Sequence, residues 1–84
     1  MAHYHFHTRI AGEIVLDEEG QELPNIEVAA SEAILSAREL VCQRIHQGLP
    51  LDLSGEILIA EKGKHGFTSV TFAAAIGATV GRSS

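Results

Sequence analysis

Asn25-Ile26-Glu27-Val28-Ala29-Ala30-Ser31-Glu32-Ala33-Ile34-Leu35-Ser36-Ala37-Arg38-Glu39-Leu40-Val41-Cys42-Gln43-Arg44-Ile45-His46-Gln47-Gly48 is the stretch on which the fold turns. Ile26, Ala30, Ala33, Ile34, Ala37, Val41 and Ile45 recur at helical spacing and form one apolar stripe, with Leu40 at its edge. Arg38, Glu39 and Gln43 face away from it. Asn25 suits the N-cap, because its side-chain oxygen can accept from a free backbone N–H two or three residues on. Glu27 and Glu32 lie toward the positive end of the helix dipole. Gly48 suits a left-handed residue just past the end, and Pro50 prevents continuation. The pattern predicts one long helix, Ile26 to Gln47. Its stripe is rich in Ala, and a large buried side chain contributes about 1.5–3 kcal/mol against under about 1 for an Ala methyl. Ile26, Ile34, Leu40, Val41 and Ile45 are therefore the expected anchors.

Strand patterns flank this helix. Tyr4, Phe6, Thr8 and Ile10 alternate with His3, His5, His7 and Arg9, a period of two that predicts a strand from His3 to Ile10. Ala11-Gly12 supplies a turn into a second strand, Glu13–Leu16. Asp17-Glu18-Glu19-Gly20 closes that hairpin and reads as a solvated acidic turn; it lacks the alternating oxygen ligands of a calcium loop. Beyond the helix, Leu49–Gly55 is a connection. Glu56–Ala60 is a third strand, Glu61–Gly66 a turn, and Phe67–Ala73 a fourth strand. The expectation is an α+β fold in the order β-β-α-β-β: an antiparallel sheet of about four strands with the helix on one face. The single domain spans residues 1–74, and 75–84 read as a flexible tail, with extension of the last strand through Ala73–Val80 as the alternative.

Composition narrows the function. Eighty-four residues make one domain with a modest core. The net charge of −5, with six scattered Lys and Arg, argues against direct binding to nucleic acid or anionic lipid. Cys42 is the one cysteine. It fits a reducing cytoplasm and reads as a buried structural thiol. No apolar run reaches the ~20 residues of a membrane span. Ser31, Ser36, Ser54 and Ser69 sit in no nucleophile motif, and Glu61–Gly66 lacks the spacing of a phosphate loop. The chain is expected not to be an enzyme.

His3, His5 and His7 carry the most chemistry. Alternate residues on a strand lie about 6.5–7 Å apart, so two such imidazoles can converge on one ion, zinc being the candidate; the expectation is otherwise of no cofactor. A further ligand has to come from elsewhere, from Glu13, His46 or His65. The competing reading is a polar face, exposed or interfacial. For His7 the alternatives are a pairing with an acidic residue or a bond to a backbone carbonyl.

The opening Tyr4-His5-Phe6-His7, the segment Asp17-Glu18-Glu19-Gly20-Gln21-Glu22-Leu23-Pro24-Asn25, the helix through Glu32-Ala33 and Ala37-Arg38-Glu39-Leu40, and the exit Gly48-Leu49-Pro50-Leu51 together resemble one family. It is the short bacterial proteins catalogued as domain of unknown function 6894, matched over Tyr4–Phe72. His5 stands where that family's pattern has an aromatic, and Asn25 where it has Asp. The resemblance implies a fold and carries no catalytic residue across. A shorter likeness over Asp17–Leu51 is to antitoxin domains of the HicB type, without their Pro-Gly-Cys turn. It implies a regulatory protein whose acidic surface meets a basic partner. The leading expectation is a non-enzymatic interaction module forming a homodimer through a sheet edge or face, because one helix covers only one side of the sheet.

Overall fold

The computed structural model describes residues 1–77. Strand β1 (Ala2–Ile10) is followed by β2 (Glu13–Val15), β3 (Gln21–Leu23), helix α1 (Ile26–Gln47), β4 (Glu56–Glu61), β5 (Thr68–Thr71) and a short helix α2 (Phe72–Ala75). The sheet is antiparallel, ordered β2-β1-β4-β5, with β3 also paired to β1. The α+β class and the helix-on-sheet arrangement are as expected, with five strands rather than four.

β1 is the spine. Along one edge it pairs with β4 from Tyr4↔Glu61 to Arg9↔Glu56. Its other edge is shared: β2 takes Thr8 to Ile10 and β3 takes Ala2 to Tyr4. β2 returns through a two-residue turn in which Ala11 (φ 52°) and Gly12 (φ 80°) are both left-handed, the primed geometry that matches strand twist. Left-handed backbone at a non-glycine costs about 1–2 kcal/mol. The Asp52 carboxylate accepts from the Ala11 N–H at 2.9 Å and holds the turn from the far side of the sequence.

α1 has the expected bounds. Asn25 Oδ1 accepts from Val28 N–H at 2.9 Å, and Gly48 ends the helix at φ 70°. The buried side is rotated relative to the sequence stripe. Ala29, Ala33, Ala37 and Val41 are buried, while Ile26 and Ile45 are 37% and 61% exposed. The methyls let the helix lie close to the sheet. The bulk of the core comes instead from Tyr4, Ile57, Ile59 and Phe72. Ile34 and Leu40 pack at the rim of this core. Cys42, expected to be buried, is exposed.

The expected fourth strand stops at Thr71. Thr71 Oγ1 accepts from Ala74 N–H at 3.1 Å, so Thr71 caps a helical turn instead of continuing the ladder. That turn places Phe72 and Ala75 in the core, each 1% exposed. Arg38 Nε donates to the Ala75 carbonyl at 2.6 Å and ties α2 to α1. Ala75, assigned by sequence to the tail, is therefore packed; residues 78–84 of that expected tail lie outside the described residues.

Candidate functional site

The alternation along β1 sorts its side chains as expected. Phe6 and Thr8 lie opposite Ile59 and Ile57 on the helix side. His3, His5, His7 and Arg9 point to the other face, opposite Glu22, Ala60, Leu58 and Glu56 respectively.

The histidines are not idle on that face. His3 donates from Nδ1 to Glu22 Oε1 at 2.9 Å and from Nε2 to the Glu19 carbonyl at 2.8 Å. A carboxylate and a carbonyl only accept, so keeping both bonds requires a proton on each ring nitrogen, the imidazolium form. His5 donates from Nδ1 to the Asp17 carbonyl at 2.8 Å. His7 has the reverse role, its Nδ1 accepting from the Asp17 N–H at 3.0 Å. That bond requires the neutral tautomer with its proton on Nε2. His7 was expected to meet either an acid or a carbonyl; its partner is a backbone donor.

Asp17 completes the arrangement. Its Oδ2 accepts from Phe6 N–H at 3.0 Å and its Oδ1 from Gly20 N–H at 3.1 Å. The side chain thus stands between β2 and β3, at the part of the β1 edge that neither strand pairs. The acidic turn is exposed at Glu18 and Glu19, while Asp17 is half-buried. Gly20 is obligatory here. It has φ 67°, and a Cβ would come within 2.6 Å of the Tyr4 carbonyl and 2.7 Å of His3 Nε2.

Charge follows this geometry. The Glu22 side chain, then the Glu19 carbonyl, raise the His3 pKa above the ordinary imidazole value. A raised folded-state pKa adds stability that is complete below the unfolded value and is lost as pH rises through the folded one. Burial pushes the Asp17 carboxyl up, but the Phe6 and Gly20 N–H groups, helped by His5, outweigh it and the net shift is down. Its contribution is present above the unfolded carboxyl pKa and lost as pH falls through the folded one. Farther along, Glu56 is held low by Ser69 Oγ at 2.6 Å and by its pairing with Arg9.

Metal ligation makes specific demands on these rings. Both His3 nitrogens are engaged, and a ligand at His7 Nε2 conflicts with the proton that its Nδ1 bond requires. The His5 and His7 rings are stacked 6.0 Å apart at 8°, so their in-plane lone pairs run in parallel planes. Among the described residues no group of three or more His, Cys, Asp or Glu side chains is arranged to hold a metal ion. Glu13, His46 and His65, the suggested extra ligands, are placed on β2, late in α1 and in the β4–β5 turn. Reading the sequence missed Asp17, Gly20 and Glu22 as partners. An Asp three residues before a Gly is a local turn signal, but nothing local points to the histidines.

Fold and site together define a small α+β protein whose histidine-bearing central strand clasps an acidic segment. Residues 3–73 match the family described as Domain of unknown function (DUF6894), and the chain belongs to that family. No curated protein and no solved structure matches it. No described helix is long and apolar enough to cross a membrane.

Proposed function

We propose that the chain is a non-enzymatic, cytoplasmic protein-interaction module that works as a homodimer. One observation carries this reading. Ile14, Val15 and Leu16 are consecutive and 57%, 60% and 64% exposed, on the edge of the sheet. Three exposed apolar residues in a row have no role in a monomer's stability and favour association. Val15 lies opposite Thr8 on the helix side, where a groove between α1 and the sheet is lined by Phe6, Thr8, Leu40 and Ile57 together with the polar Ser36, Glu39 and Gln43. Val15 and the apolar part of this groove make a margin for a second copy to cover, while Ile14 lies toward the histidine face; side chains rather than ladder hydrogen bonds are the adhesive.

Light scattering on the full chain tests it. The expected mass is two chains at high micromolar concentration, and Val15→Glu shifts it to one. A single-chain mass for the unaltered protein at that concentration overturns the proposal.

A further inference from the structure

The three histidines differ in what protonation does to them, and this goes beyond the interaction reading. His3 needs both protons to keep its two bonds, and His5 keeps its Nδ1–H bond whether or not Nε2 is protonated. His7 alone loses its bond on protonation, because an N–H then faces the Asp17 N–H. We infer that β1 and the Asp17–Leu23 segment form a pH-gated clasp, opened at the Asp17 end by protonation of His7. The hinge is short. Asp17 is fixed by Phe6, His5 and His7, and the segment continues into β3, which is held by the Ala2–Tyr4 ladder and by His3.

The surroundings of His7 support a local event. On β1 its same-face neighbours are His5 and Arg9. On β4 it meets Leu58, with Glu56 one pair further and occupied by Arg9. On β2, Ile14 lies opposite Arg9. From the clasped segment it meets the Asp17 backbone, while the Asp17 carboxylate is turned to Phe6 and Gly20. At the other end, His3 faces Glu22, the Glu19 carbonyl and, more distantly, Lys62. Among the described residues no carboxylate is bonded to His7 to compensate for a charge on it. Protonating His7 therefore removes an acceptor and adds a cation beside His5 and Arg9. The opposite end responds oppositely, since His3 gives up one bond when it loses a proton. Protonation of His7 and deprotonation of His3 therefore each cost the clasp one bond.

The test is nitrogen-15 NMR of the full chain across the range where imidazoles change charge, about pH 5 to 8. When neutral, His7 is expected to carry its proton on Nε2 alone, and His3 to keep both of its protons to higher pH than an ordinary imidazole. As pH falls across this range, the exchange protection of the Asp17 amide is expected to drop, with α1 amides unchanged. His7→Asn keeps an acceptor at the position of Nδ1 and cannot titrate, so in this variant the step should vanish while the carboxylate-driven loss at lower pH remains. An Nδ1–H tautomer for His7 at neutral pH overturns the inference, as does a step that survives in His7→Asn. Should that variant fail to fold, the tautomer and the exchange step of the unaltered chain decide the matter.

Discussion

On the helix side of β1, Tyr4 is 2% exposed and packs in a cluster with Ala29, Ala33, Ile57, Ile59 and Phe72. On the opposite side, His3, His5 and His7 are held by four directed bonds between 2.8 and 3.0 Å to Glu22, Glu19 and Asp17, in the segment that leads into α1. The first face is stabilised by area removed from water. That contribution is non-directional and indifferent to pH. The second face depends on donors and acceptors in particular protonation states, and a single proton reverses a contact. One strand therefore joins a part that tolerates solution conditions to a part that reports them.

Substitutions separate the two regimes. Phe72→Ala empties the largest fully buried site and is expected to cost about 3–5 kcal/mol, enough to unfold a domain of this size. Chemical denaturation measures it, and a loss under about 1 kcal/mol would show that α2 does not close the core. Gly20→Ala strikes the clasp. Its positive φ alone costs about 1–2 kcal/mol, and the 2.6 Å approach to the Tyr4 carbonyl adds to that. Faster exchange at the Asp17 and Phe6 amides should accompany this loss. Equal loosening of α1 would mean the two faces are not separable. Ile45→Ala is the smallest. At 61% exposure it should change stability by less than about 0.5 kcal/mol. A core-sized loss would restore the stripe read from sequence.

The sequence made the helix-covered face legible because periodicity is a local record of burial. The N-cap Asn25, the stop at Gly48 and the alternation of β1 are each written within a few residues. The rotation of α1 was not, because Ile26 and Ile45 are as apolar as a core demands; only the position of the sheet decides that Ala29 faces in and they do not. The last strand was misread for a similar reason. Phe72 fits a strand face or a helical turn equally, and Thr71 settles it by capping Ala74. β3 escaped notice because three residues, Gln21-Glu22-Leu23, hold no periodicity of their own. Their pairing is fixed by β1 and by the bond that His3, 19 positions away, makes to Glu22.

The Asp17 carboxylate has one more consequence. By accepting from the Phe6 N–H it takes a place that a strand backbone would otherwise fill, so the outer margin of the sheet on that side is broken into two three-residue pieces. A margin so interrupted offers no straight template for a foreign strand, and it guards the chain against edge-to-edge aggregation on that side. The opposite margin, β5, is four uncharged residues long with neither Lys nor Pro among them. There the protection comes from brevity alone, since the chain turns into α2 immediately after Thr71.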